Sequence, residues 1–253
     1  MPLASWIIPA HYRPHLLGAA LRSIYGQLLV PSAWRQEVIV VHMRDDLASA
    51  EIAAGFGAAL VSTDLPFAGA KRTLGFRHSQ GDLLLVGDDD DLQSPVFLAA
   101  AVAAYEAGHP ITAVREFRYV ELPSGRCARW SGHHKYGPEA GYHRTYARGV
   151  LDDIGGWVEA SRGVDTLTHR KIIATGRWPL EHDISQVELG GLRIADTMLN
   201  LQHGANIWRR EFPPLGRSAM WGQWGLRGEG LIGAAVPPPA AAHWPLLAPL
   251  LAA

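Results

Sequence analysis

Four consecutive carboxylates, Asp88, Asp89, Asp90 and Asp91, stand at the end of the apolar run Leu83-Leu84-Leu85-Val86-Gly87. Adjacent anions repel one another, so a fold that gathers them must also neutralise them. A hard divalent cation, Mg²⁺ or Mn²⁺, does this through oxygen ligands and can bridge to a phosphate at the same time. The commoner fate of an acidic run is a solvated loop. This run, however, is joined directly to a short apolar stretch bounded by Gly81, which suits a strand buried on both faces. Ligands of open α/β sheets bind at the carboxyl ends of such strands, and that favours metal binding. A calcium loop of the EF-hand type is excluded, because the sixth position counted from Asp88 is Gln93 instead of Gly and the twelfth is Ala99 instead of Glu.

The elements that must position these carboxylates are legible on both sides. Ser5 to Pro9, Glu37 to Val41 and Ala59 to Ser62 have the composition of short buried strands. Residues 13–27, with Pro14 in the first turn and Leu16, Leu17, Ala20, Leu21 and Ile24 at helical spacing, predict a helix. So do Ala48 to Phe56, closed by Gly57, and Ala70 to Ser79, in which Gly75 is a weak point. Pro95 to Ala107 predicts another, with Ser94 as N-cap and Gly108 as stop. Strands alternating with helices imply a doubly wound, mostly parallel sheet with helices on both faces. After Pro110 the pattern changes: 111–120, 126–131 and 141–147 predict strands separated by turn residues, and 164–175 a helix ending at Gly176. We therefore expect a first half over 1–110, a mixed α+β half over 111–236, and a Pro/Ala/Leu-rich tail over 237–253.

Composition narrows the classes. With 253 residues and 48% apolar content the chain can bury a substantial core. A net charge of −1 gives no global attraction to nucleic acid or anionic lipid. The single cysteine, Cys127, rules out an intramolecular disulfide framework and a multi-thiolate zinc site, and fits a reducing compartment. Pro9, His11 and Arg13 interrupt the first apolar run, so no signal peptide is expected. No segment approaches the roughly 18 apolar residues that span a bilayer. These features read as a soluble, cytoplasmic protein.

Four motifs, in order, resemble family-2 glycosyltransferases: Ser5-Trp6-Ile7-Ile8-Pro9-Ala10-His11-Tyr12-Arg13-Pro14, Ala70-Lys71-Arg72-Thr73-Leu74-Gly75, Gly81 to Asp91, and Leu151-Asp152-Asp153-Ile154-Gly155-Gly156-Trp157 followed by Gly163-Val164-Asp165-Thr166. The resemblance covers about residues 4 to 176 and implies a GT-A fold, with a nucleotide-sugar-binding half followed by an acceptor-binding, catalytic half. It implies that Asp88 lies near the ribose and that Asp90 binds Mn²⁺ or Mg²⁺, with Asp88 and Asp91 as further candidate ligands. It also places Pro9 and Ala10 beside the nucleotide base, and puts His11, Arg13, His42, Lys71, Arg72 and Asp89 with the donor set. His203, ending a predicted strand before a glycine turn, is the expected additional metal ligand, ahead of His182. Asp165 matches the general base, and an Asp opening a helix is also an ordinary cap. Trp157 is expected to stack on a sugar or to fill the core. The donor implied is a nucleotide sugar, a UDP-sugar first. The family's acidic turn after the second strand is replaced here by His42-Met43-Arg44-Asp45, which leaves the base open.

The acceptor side is read from residue type. His133-His134 with Lys135 and Tyr136 form either an acceptor-facing loop or a polar turn. Trp208, Trp221 and Trp224 with Arg209, Arg210 and Arg217 suit the ring faces of a glycan, and also suit nucleic acid. The near-neutral charge favours a glycan or another small hydroxyl acceptor over modified bases of DNA. The rival readings are a nucleotidyl- or phosphotransferase, which lacks its glycine-rich phosphate loop here, and a nucleotide-sugar-binding protein without turnover. Gly228-Glu229-Gly230-Leu231-Ile232-Gly233 matches a dinucleotide fingerprint but follows no predicted strand and is set aside.

Overall fold

The computed structural model describes residues 1–122, 126–131, 142–160 and 163–203, together with the backbone of 220–221 and 226–231. The order begins β1 (Leu3–Pro9), α1 (Pro14–Tyr25), β2 (Arg35–Met43), α2 (Leu47–Gly55), β3 (Ala59–Thr63), α3 (Ala68–His78), β4 (Leu83–Val86), β5 (Asp91–Leu92) and α4 (Phe97–Glu106). It continues β6 (Ile111–Val114), β7 (Glu116–Glu121), β8 (Arg126–Ser131), β9 (Tyr142–Ala147), α5 (Arg148–Ile154), α6 (Val164–Ala174) and β10 (His182–Asp183). A hairpin of β11 (Glu188–Leu189) and β12 (Leu192–Arg193) leads through the short α7 (Ile194–Thr197) to β13 (Leu199–Gln202), with β14 (Met220–Trp221) and β15 (Leu226–Leu231) last.

Two sheets carry the molecule. The first has the order β10-β6-β9-β4-β1-β2-β3, with every neighbouring pair parallel except the two that involve β9. The second has the order β14-β15-β8-β7-β13-β5. Strands from both sides of Pro110 share the first sheet, since β6 and β9 extend it beyond β4. Its central strands β1 and β4 are buried along nearly their whole length, which is why they are mostly apolar. In β1 the alternation is direct: Trp6 and Ile8 pack with Leu17, Leu21 and Ile24 of α1 and Phe97 of α4, while Ile7 faces Leu84, Phe76 and Ile172 on the other side. Each such buried side chain contributes roughly 1.5–3 kcal/mol.

Three local results refine the sequence reading. The predicted strand 111–120 is broken at Arg115, because the Arg115 and Glu116 amides both donate to Ser185 Oγ, at 2.6 and 2.9 Å, and leave the ladder. Its two parts then enter different sheets. The fourth helix begins at Phe97; Ser94 lies outside it, with its hydroxyl 2.7 Å from Thr197 Oγ1. Gly75, a weak point by propensity, is a packing requirement: a Cβ there would stand 2.6 Å from Ile7 Cγ2 and 3.0 Å from Val41 Cγ2. Its absence lets α3 lie directly on the sheet. Among the described residues no helix is long and apolar enough to cross a membrane.

Candidate active site

The four carboxylates link the two sheets. β4 ends at Val86 in the first sheet, and five residues later Asp91 and Leu92 pair antiparallel with Asn200 and Leu199 of β13 in the second. This register brings His203, just past the end of β13, to the acidic run. His203 Nε2 lies 3.0 Å from Asp90 Oδ2. Asp91 is buried and accepts from Asn200 Nδ2 at 2.9 Å.

The β1–α1 turn closes over the same strip. Tyr12 has a positive φ of 54°, a conformation costly for a non-glycine residue. It is held because the His11 amide donates to Asp89 Oδ2 at 2.8 Å and the Tyr12 amide to Asp46 Oδ2 at 2.7 Å. Arg13 thereby directs its guanidinium onto both Asp89 and Asp90. Pro9 is the last residue of β1, and Ala10 is fully buried, its carbonyl accepting from Lys71 Nζ at 2.6 Å. Burial lowers the Lys71 pKa to about 8, although Asp89 and Asp46 nearby act to raise it. His42 is buried at the end of β2, with Nδ1 2.8 Å from the Met43 carbonyl oxygen.

Arg72 ties the halves together. From α3 it donates to Asp88 Oδ1 at 2.6 Å and to Asp165 Oδ1 at 2.9 Å, and its side chain is 4% exposed. Burial alone would lower its pKa; Asp165 and Asp88 more than offset this and raise it. Asp165 lies in the first turn of α6, where Gly163 is the N-cap and no side chain caps the helix. Its carboxylate is therefore engaged by Arg72 instead of serving as a cap, and at 32% side-chain exposure it remains open to a second molecule.

Burial is the largest influence raising the pKa of Asp91 well above its usual range, with Asp90 and Asp88 adding to it, and burial also raises that of Asp89. Arg13 pairs with Asp89 and Asp90, and Arg72 with Asp88 and Asp165. Among the described residues no three His, Cys, Asp or Glu side chains are gathered as a metal-binding group. The pair that meets, Asp90 Oδ2 and His203 Nε2 at 3.0 Å, has the spacing of neighbouring ligands on an octahedral ion with bonds of about 2.1 Å. Mg²⁺ sites commonly use one or two carboxylates and leave the remaining positions to water and substrate phosphate. The Asp90–His203 pair thus fits one edge of a site for a hard divalent ion.

Other expected residues lie elsewhere. Trp157 is 3% exposed and meets Phe76 and Tyr146 edge-on, at 6.3 and 5.6 Å between centroids, so it belongs to the core and not to an open acceptor surface. His182 stacks on His109 in the edge strand β10, away from the acidic run. His133, His134, Trp208, Trp224, Arg209, Arg210, Arg217 and the 237–253 tail lie outside the described residues. Sequence reasoning missed His143. A register shift between β6 and β9 and a φ of 45° at His143 mark a bulge that directs its buried ring to 3.7 Å from Asp91 Oδ2. Burial lowers its pKa to about 4. No sequence signal announces such a bulge. Asp46, which holds the Tyr12 amide, was also missed, although its N-cap role on α2 is of a recognisable type.

Comparison with known proteins agrees with this geometry. No curated protein sequence is matched. Among solved structures, S. aureus TarS 1-349 in complex with UDP-GlcNAc superposes with a TM-score of 0.59 at 15% identity, over 81% of this chain and 60% of that one. The mannosyltransferase PcManGT from Pyrobaculum calidifontis in complex with GDP-Man and Mn²⁺ gives 0.52 at 17% identity, over 79% and 56%. The chain thus spans 56–60% of the length of these structures, and the likeness establishes a GT-A fold. The model described as glycosyl transferase family 2 matches residues 5–158, which contain β1 to α5, the acidic run and Arg72. The chain belongs to glycosyl transferase family 2.

Proposed function

We propose that this protein is a divalent-metal-dependent, inverting glycosyltransferase that moves a sugar from a nucleotide-sugar donor to the hydroxyl group of a glycan or other small acceptor. The observation that carries the reading is Arg72, whose one guanidinium holds both Asp88 of the acidic run and Asp165 of the second half. It sets the candidate base within one side chain of the candidate donor site, which argues against a binding protein without turnover.

Sugar transfer needs charge neutralisation on the leaving diphosphate and removal of the acceptor proton. A divalent ion, when bound by Asp90 and His203 with Asp88 and Asp91 nearby, supplies Lewis-acid stabilisation of the diphosphate. Asp165 accepts the proton of the attacking hydroxyl. Arg72 fixes Oδ1, so that the exposed side of the carboxylate meets the acceptor. A single displacement at the anomeric carbon inverts its configuration. Pro9, Ala10 and His42 border the base, and His11, Arg13, Lys71, Arg72 and Asp89 surround the phosphates and ribose. We assign donor binding to residues 1–110 and acceptor binding to 111–236, which supplies Asp165 and His203. A UDP-sugar is the first donor to try and a GDP-sugar the second, since His42 stands where an acidic base-reading turn is expected. A cytoplasmic setting fits a chain whose single cysteine, Cys127, is buried.

The test is a thermal-shift screen of UDP- and GDP-sugars with and without Mn²⁺. At a hundredfold excess over Kd, a ligand of the folded state adds about 2.7 kcal/mol of stability. Metal-dependent stabilisation by one nucleotide sugar, with nucleotide release on adding an acceptor, supports the reading. Equal responses with and without metal, or binding without release, would count against it.

A further inference from the structure

Arg13 reaches both atoms, Asp90 Oδ2 and His203 Nε2, that the metal reading assigns to an ion. Its Nη2 and Nε donate to Asp89, Nε at 3.3 Å from Oδ2, while Nη1 donates to Asp90 Oδ2 and lies 3.2 Å from His203 Nε2. Asp90 Oδ2 and His203 Nε2 are the two atoms with the spacing of adjacent octahedral ligands. Nη1 offers only hydrogens. A His203 lone pair turned toward Nη1 is unavailable to an ion; a His203 proton turned toward Asp90 leaves the ring no lone pair at that atom. In either tautomer a metal ion and Nη1 compete for the same oxygen–nitrogen pair.

Resting on the metal-dependent reading of this site, we propose that Arg13 is a surrogate cation that the divalent ion displaces from Asp90 and His203. Nε, Nη1 and Nη2 are fixed in one plane, so the guanidinium pivots as a whole when Nη1 leaves; Asp89, which is not part of the displaced pair, can keep one hydrogen bond to it. The anchored guanidinium is then available to an anionic donor. Donor and metal should bind cooperatively, each tightening the other by the same factor. This gives Arg13 a role distinct from that of Arg72, which bridges Asp88 and Asp165.

The test is Mn²⁺ titration of the full chain without nucleotide, read by electron paramagnetic resonance of the free ion. It compares wild type, Arg13→Met, Arg13→Lys, Lys71→Met and Asp90→Asn. If Arg13 is seated nine-tenths of the time, removing it should tighten Mn²⁺ binding about tenfold. Arg13→Lys keeps the charge but cannot span Asp89 and the Asp90–His203 pair together, so it should also tighten binding, by less. Lys71→Met, which removes a nearby charge without vacating the site, should tighten it less than Arg13→Met. Asp90→Asn should lose binding in every background, which checks the metal reading separately. Arg13→Lys at wild-type affinity, with Arg13→Met no tighter than Lys71→Met, would reduce Arg13 to a background charge and overturn the proposal. Weaker binding in Arg13→Met would overturn it too. If Arg13→Met does not fold, the Arg13→Lys comparison decides. Absence of Mn²⁺ binding in wild type and in both Arg13 variants would remove the metal reading and the proposal together.

Discussion

Asp165→Asn separates chemistry from architecture. Asparagine keeps an oxygen at the Oδ1 position, so Arg72 can still donate to it from 2.9 Å, and Asp88 still balances the guanidinium at 2.6 Å. What is lost is the charge on one hydrogen bond at a site about one-third exposed, at most about 1 kcal/mol. That is small beside a domain stability of roughly 5–15 kcal/mol. The chemical loss is larger: without a proton acceptor, transfer should slow by about 10²- to 10⁴-fold, or about 3–5 kcal/mol of barrier. The assay is nucleotide release at saturating donor, with donor Kd from calorimetry and the melting temperature of the same preparation. The expected pattern is a large fall in rate with donor affinity and melting temperature close to wild type. A rate within about threefold of wild type would refute the base assignment. So would a collapse of donor binding with the transfer step spared, which would make Asp165 a structural partner of Arg72.

Two further predictions concern stability. His143, lowered to about 4 from an ordinary 6.5, is uncharged in the fold, whereas the unfolded chain takes up its proton as the pH drops through 6.5. Its contribution is therefore intact above pH 6.5 and lost toward pH 4, by about 3 kcal/mol. His143→Gln should flatten that acid limb in urea melts, and an unchanged limb would contradict the assignment. Gly75→Ala should destabilise by about 1–3 kcal/mol through its clash with Ile7 and Val41, although alanine is the better helix former by about 1 kcal/mol. A raised urea midpoint would show that α3 can move away from the sheet.

The parts legible in the sequence are those in which one segment contains its own signal. β4 running into Asp88–Asp91 is such a case, since an apolar run and a block of charge are both local. Arg72 and Asp165 can be singled out through motifs that resemblance made readable, but their meeting on one guanidinium depends on how α3 and α6 are placed. His203 was placed by its position at a strand end, and the pairing of β13 with β5 explains why that position matters. The hold of Arg13 on Asp89 and Asp90 spans more than seventy residues and depends on the constrained turn at Tyr12, so composition could not reveal it. His143 depends on a bulge, and the break at Arg115 on a hydroxyl seventy residues away. Trp157 shows the opposite error: an aromatic residue after two glycines suited a sugar platform as well as a core, and only burial separates the two.

The most direct test of the account compares the wild-type chain and Asp90→Ala for turnover of the nucleotide sugar that stabilises the wild type, with Mn²⁺ and again with EDTA. Replacing Asp90 removes the proposed ligand facing His203 and also relieves repulsion among four adjacent carboxylates, so the fold should persist. The account predicts nucleotide release by the wild type with Mn²⁺, its loss with EDTA, and its loss in Asp90→Ala at any metal concentration while circular dichroism stays unchanged. Wild-type turnover in folded Asp90→Ala, or turnover indifferent to EDTA, would contradict it.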